Sequence, residues 1–483
     1  MVLTDAIATG HPEGRAHSLG YQPDTGLPQA SRAIGGHNRT GMRWGLCQRM
    51  LAACNRSSIR SVLCDVTSPS SLITAPDWPY CGYGATPDDV GCRGRRVEPH
   101  AACLGHLGHA DRFAYVTSLQ PGADLDHRGT YFDEGLLFSL FEALTDPATD
   151  QICIGEALFN EAVFSGEVQL TNAAFEGEVY FSKATFKGVS LFAEAMFRSA
   201  AWFLDAVFDQ AAVFTGATFS GNTWFQHATF SNDAVFFDVA FDCPAMFEGA
   251  RFRGLTRFSG VTFRYDAWFG GTTFDRDAVF QETTFKSARI LGPIVCTETL
   301  RLSEAVFESA VTIEAAASAV HCRRTRWAST AALRLRHATV NLTDAVLEYP
   351  VSFSAHSKPF TVGDQEVPEP RLTDPTVRVT SLHGADAAHL VLTDVDLTDC
   401  RFAGTVHLDQ LRLEGRYPPG HRPLWPVLAP GMVASAQDTT PNTGRGTPLA
   451  CRPPCSRRRL DSCTGGGDRA RTGLTGTGVP ATA

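Results

Sequence analysis

Large apolar residues recur along residues 157–291 on a beat that alternates five and six positions without a slip. Phe159, Phe164, Phe175, Phe181, Phe186 and their successors to Phe285 keep it, with Leu170 and Leu291 filling in, for 25 consecutive positions. Two residues before each stands a small side chain, from Ala157, Ala162, Val168 and Ala173 to Ala278 and Thr283. In extended backbone, residues i and i−2 share a face, so each short segment turns one small and one large side chain inward. A helix does not fit, because a spacing of five to six puts successive Phe side chains on opposite sides of a turn of about 3.6 residues. The residues just before alternate Phe positions fall into two sets. One is Tyr180, Trp202, Trp224, Met246, Trp268 and Ile290; the other is Gln169, Leu191, Val213, Val235, Arg257 and Val279. Each set returns every 22 residues, so one turn has four sides of five, six, five and six residues. The pattern predicts an all-β solenoid, a four-sided β-helix whose turns bury their apolar side only by stacking.

Segments such as Ala217-Thr218-Phe219, Ala228-Thr229-Phe230 and Ala278-Val279-Phe280 resemble the Phe-centred unit of bacterial pentapeptide-repeat proteins. The resemblance implies a right-handed quadrilateral parallel β-helix, one unit per side. The extra residue on alternate sides departs from the plainest form of the family and is expected to bulge outward at a corner. The family hosts several functions, so the fold does not choose among them.

The flanks divide by composition. Residues 1–75 lack periodicity, carry seven Arg against four acids up to residue 70, and are expected to be a disordered leader with at most a short helix at Trp44 to Leu51. Residues 78–112 form a Cys/His-rich segment. Residues 120–150 are expected to hold a first repeat unit, with Asp126 and His127 in a solvated turn, and then an amphipathic helix capped by Asp133 and stopped at Asp146-Pro147. Its apolar face is expected to plug the open end of the solenoid. The repeat array proper is assigned to residues 151–353, with a break in the beat at 322–327; residues 354–375, with four prolines, read as a loop insertion. The beat resumes through Leu392, Leu397 and Phe402 in residues 376–415, and residues 416–483 read as a disordered basic tail with nine Arg against three Asp. The abrupt start of that tail is also what a shifted reading frame would produce.

The chain has 483 residues, a formal charge of −9 and no apolar run long enough to span a membrane. No secretory leader is evident, so the expectation is a cytoplasmic protein whose 14 cysteines are thiols or metal ligands. Cys81, Cys92, Cys103 and His106 supply three thiols and an imidazole within 26 residues, among glycines that allow tight turns. That set suits structural tetrahedral zinc, with free thiols in a capping segment as the alternative. No phosphate loop, nucleophile elbow or His-Glu-X-X-His motif is present, so no enzyme is expected; an enzyme or metal-dependent binder built on the Cys-rich segment is the remote alternative.

Three surfaces are candidates for contact. Tyr180, Trp202, Trp224, Met246 and Trp268 are expected to form an exposed apolar ladder up one side, suited to a protein partner or a second copy, unless another part of the chain covers it. Between 156 and 250 there are twelve acids against three basic residues, and between 251 and 291 four against seven. Some pentapeptide-repeat proteins bind type II topoisomerases such as gyrase through an acidic rod that imitates DNA. The resemblance therefore offers a topoisomerase modulator as the alternative to a rigid protein-binding scaffold. Arg323, Arg324, Arg326, Arg334 and Arg336 form a basic cluster, but overall charge is negative, and direct nucleic-acid binding is not expected.

Overall fold

A computed structural model of the chain describes residues 74–415. The expected leader, the short helix expected in it and the basic tail lie outside the described residues, apart from Thr74 and Ala75. Residues 86–90 fall outside the main body, and within them Thr86 and Asp89 exchange backbone hydrogen bonds. Residues 76–85 and those from Gly91 onward make up the main body.

That body is a parallel β-solenoid of about twelve turns. From Ala157 to Phe285 each side of a turn is a strand of about two residues, and each strand pairs in parallel with the strand 22 residues on. Ala157–Leu158 pairs with Val179–Tyr180, Thr185–Phe186 with Val207–Phe208, Ser190–Leu191 with Ala212–Val213, and Met196–Phe197 with Thr218–Phe219. These four columns are the four sides. The Phe side chains fill the interior at 0–1% exposure. In one column Phe175, Phe197, Phe219, Phe241, Phe263, Phe285 and Phe307 stack 4.4–5.2 Å apart within 11° of parallel. Across the longer corners neighbouring columns meet edge to face, as Phe175 and Phe181 do at 85°, the other arrangement that aromatic quadrupoles favour, and across shorter ones rings tilt, as Phe192 and Phe197 do at 43°.

The alternation of five and six residues has a cause at the corners. Every five-residue gap contains a residue with positive φ, at Glu161, Asn172, Lys183, Glu194, Asp205 and Gly216 and onward at intervals of eleven. Each closes a four-residue turn, as Ala162 N–H does on the Phe159 carbonyl at 3.0 Å. The strained residue thus sits in the short corners. In the longer corners successive turns run close together, and a Cβ on Gly188 would lie 2.3 Å from the Gly166 carbonyl oxygen.

After residue 289 three sides run together into one twelve-residue strand, Ile290–Arg301, which pairs with Val311–His321 through two register shifts. Each shift drops one residue, so Thr299 pairs with Ala319 and the turn becomes 20 residues long. This corrects the break expected at 322–327. Arg326–Trp327 pairs with Val306–Phe307, and the fully buried Trp327 stacks on Phe307 at 4.5 Å, continuing the Phe column. The shortened period moves the beat, and Trp stands where a Phe would be sought.

The insertion is an ordered strap. Thr361–Val362 and Gln365–Glu366 form a small hairpin, and Phe360 and Val367 close over Val295 and Ala316 on the outer face of the long strands. Arg336 binds Glu369 at 2.8 Å, His337 reaches the same carboxylate at 2.8 Å, and all three side chains are over 90% buried. The solenoid resumes at Arg378–Ser381, paired with Thr339–Asn341, and its last strand is Arg412–Glu414.

At the N-terminal end, Leu125–Asp126 and Tyr131–Phe132 are the first two sides. A helix, Glu134–Ala143, comes next, with Asp133 accepting from Leu136 N–H at 2.8 Å. Its Leu136, Leu137, Leu140 and Phe141 join the solenoid core. A second helix, His109–Ser118, precedes the first turn and is not evident from the pattern. The solvated turn expected at Asp126 and His127 is corrected. His127 is fully buried beside Phe132 and Phe159, with Nε2 3.1 Å from the Tyr115 hydroxyl, while Asp126 is held by Arg95 and Arg128.

Candidate metal centre and aromatic ladder

Residues 80–83 run antiparallel to 92–95. Cys81 N–H donates to the Gly94 carbonyl and Gly82 N–H to the Cys92 carbonyl, both at 2.8 Å. A bridge between Arg96 and Cys103 brings in the third thiol, and the 3-10 turn Leu104–His106 carries the imidazole back beside it. The result places four ligand atoms, from Cys81, Cys92, Cys103 and His106, within 4.8 Å of one another. Cys92 Sγ lies 3.6 Å from Cys103 Sγ, Cys103 Sγ 3.3 Å from His106 Nδ1, and Cys81 Sγ 3.7 Å from the same nitrogen. A disulfide would need about 2.05 Å between sulfurs. Tetrahedral zinc with bonds of about 2.3 Å to sulfur needs ligand separations of about 3.7 Å. The cluster therefore fits a four-coordinate ion.

The surroundings are shaped for it. A Cβ on Gly94 would stand 2.7 Å from Cys103 Sγ and 3.3 Å from Cys92 Sγ, so only glycine leaves the thiols this close. The Gly94 N–H points at Cys92 Sγ at 3.4 Å. The Cys103 thiol draws Cys92 down to about 5, while the same hydrogen bond, reinforced by burial, pushes Cys103 up. A bound cation would displace the thiol protons. The Tyr83 ring stacks on His106 at 4.4 Å.

Residues with no motif of their own tie this segment to the solenoid. Leu104, between two ligands, is fully buried in the solenoid core with Val97 and Leu107. Arg95 N–H donates to the Arg128 carbonyl at 2.7 Å, Arg93 pairs with Glu161 at 2.7 Å, and Trp78 Nε1 donates to the Arg93 carbonyl at 2.8 Å. Spacing could find the ligands. It could not find Leu104 or Arg93, whose roles exist only once the segment is docked, or Gly94, whose role exists only once the thiols are gathered.

The aromatic ladder is present in register. Tyr180, Trp202, Trp224, Met246 and Trp268 occupy equivalent outward positions of one column. Trp202 and Trp224 stack with ring centres 3.5 Å apart, and Tyr180 lies 5.7 Å from Trp202. The row is less exposed than expected, since strand spacing stacks Tyr180, Trp202 and Trp224 on one another. The aromatic members are half-buried, and Met246 is 7% exposed. What remains at the surface is a row of ring edges beside half-buried Ala200 and Leu204. The strap's buried residues Phe360 and Val367 pack on Val295 and Ala316.

The basic cluster is largely paired within the solenoid. Arg324 meets Glu304, Arg326 meets Glu348 at 2.7 Å and Arg334 meets Glu314 at 2.9 Å. Asp233, on the acidic stretch, accepts Leu255 N–H from the next turn at 2.9 Å. Among the described residues, no helix is long and apolar enough to cross a membrane.

No curated protein and no solved structure gives a significant match to the chain. A family model described as pentapeptide repeats (9 copies) matches residues 153–195, 192–240 and 236–284. Those residues are the four-column region in which a small inward residue, an outward residue and Phe repeat on every side. The chain therefore carries a pentapeptide-repeat domain, folded as this four-sided β-helix.

Proposed function

We propose that this chain is a non-enzymatic, cytoplasmic scaffold that presents the aromatic row to a protein partner. The observation that carries this reading is the in-register row of Tyr180, Trp202, Trp224 and Trp268, held on short, mutually paired strands. Rigid aromatics lose little conformational freedom on docking and are enriched at interface centres. Trp202→Ser with Trp224→Ser tests it. The double variant keeps its far-ultraviolet spectrum and loses capture of the partner or self-association in sedimentation. Unchanged capture and sedimentation would refute the role of the row. A topoisomerase captured regardless of the two substitutions, and released by high salt, would assign recognition to the acidic stretch instead.

We propose zinc as the ion that Cys81, Cys92, Cys103 and His106 would hold, because three sulfurs and one nitrogen within 4.8 Å of one another suit that borderline-soft cation. Four protein ligands leave no open position, which makes the role structural. Metal analysis of purified protein is expected to return about one zinc per chain.

A further inference from the structure

We infer that the metal cluster is a clasp that closes the N-terminal end of the solenoid, so that metal occupancy sets whether the first turn is docked. This rests on the zinc reading above and goes beyond it in assigning what the ion controls. The first turn sits at the end of the array. Its two strands, Leu125–Asp126 and Tyr131–Phe132, are two residues each and pair with the array on one side only. Their other side faces the Cys/His segment. The 3-10 turn that supplies both Cys103 and His106 also inserts Leu104, with no exposed surface, into the solenoid core. The same turn runs so close to the Tyr131 carbonyl oxygen that a Cβ on Gly105 would lie 2.9 Å from it. Arg95, one residue beyond Gly94 at the cluster, donates its N–H to Arg128 of the first turn.

The physical argument is one of coupling. Short segments with few apolar contacts do not hold a fixed conformation unless cross-linked, and ligand binding by such a segment is folding free energy. An ion joining Cys81, Cys92, Cys103 and His106 fixes the hairpin to the 3-10 turn, and so holds Leu104 and Arg95 in place together. Without it the thiols crowd one another, the turn separates from the hairpin, and the first turn loses its cover. An uncovered edge of parallel strands is then free to exchange with water or recruit another chain.

Amide exchange of the full chain, zinc-loaded and after removal of zinc by EDTA, tests this. The reporters are Leu125, His127 and Gly129, whose N–H groups donate to Glu156, Leu158 and Asn160 of the next turn. Their exchange is expected to accelerate at least about tenfold on chelation, with Phe225 and Phe247 unchanged. Zinc bound one to one, with those three amides indifferent to its removal, would overturn the clasp and leave the zinc site standing. Failure of the chain to bind added zinc would overturn both. Ligand variants such as Cys103→Ser risk general misfolding, so Leu104→Ala supplies an independent arm. It retains all four ligands and is expected to hold zinc while its three reporters exchange faster. Retained zinc with unchanged exchange would refute the clasp.

Discussion

Phe219→Ala tests the stacked core at its most closely packed point. Phe219 has no exposed surface, stacks 4.4 Å from Phe197 and 5.0 Å from Phe241, and meets Phe225 edge to face at 6.2 Å. Truncation removes a buried ring and leaves a cavity that rigid neighbours cannot fill, a loss of about 3–5 kcal/mol. The two ring stacks place the loss at the upper end of that range, since each aromatic pair contributes about 0.5–1.5 kcal/mol beyond its buried area. In a stacked array the damage is local, because each turn contacts only its neighbours. Amides around Phe197 and Phe241 should therefore exchange roughly a hundredfold or more faster, at about 1.4 kcal/mol per tenfold. Those of the last turns should not change. Phe219→Leu, which retains most of the volume, should cost less than half as much. The assay is residue-resolved hydrogen exchange with a urea midpoint for each variant. A loss below about 1 kcal/mol for Phe219→Ala, or an even effect along the array, would refute the nearest-neighbour stacked core.

Two further outcomes concern other parts of the molecule. His127 is fully buried, and burial holds its pKa down to about 4 from an ordinary 6.5. The neutral ring then favours the folded state above pH 6.5, and that contribution drains away as pH falls toward 4, by on the order of 3 kcal/mol at most. His127→Gln should flatten this limb of the stability profile of the N-terminal turn, and an unchanged limb would count against it. In the strap, burial pushes the Glu369 carboxyl up, but hydrogen bonds from Arg336 and His337 outweigh it and hold the group below its ordinary value. Its contribution is present above the ordinary carboxylate range and is lost as pH falls through the lowered value. Arg336→Ala leaves that carboxylate buried with one partner fewer and should cost about 3–5 kcal/mol, freeing residues 357–372 for limited proteolysis at neutral pH. Full protease resistance would show that Phe360 and Val367 hold the strap without the ion pair.

The repeat itself was legible because its cause is local. A strand of two residues presents one small and one large side chain inward, and a corner of fixed length returns the chain to the next side. Spacing alone therefore determines four sides and a 22-residue turn. The same dependence on spacing hid the turns beyond residue 290. Two register shifts shorten them, and Trp327 takes a Phe position that no count from the N-terminal side would reach.

Chemistry divided in the same way. The four ligands could be chosen by residue type and by the glycines among them, since soft donors within one short segment have few other reasons to gather. What those ligands hold together could not, because Leu104 enters the core, and Arg93 meets Glu161, across 68 residues of sequence. The ladder's membership came from periodicity. Its half-buried state did not, for it depends on strand spacing bringing Trp202 onto Trp224 at 3.5 Å. His127 reads as a turn residue in sequence and is a core residue in the fold, since the helix before it and the Phe column beneath it close over it only in three dimensions. Periodic burial is thus written in the chain because each side repeats the same local geometry. Contacts between distant segments are decided by the tertiary structure, where docking selects partners that no local spacing encodes.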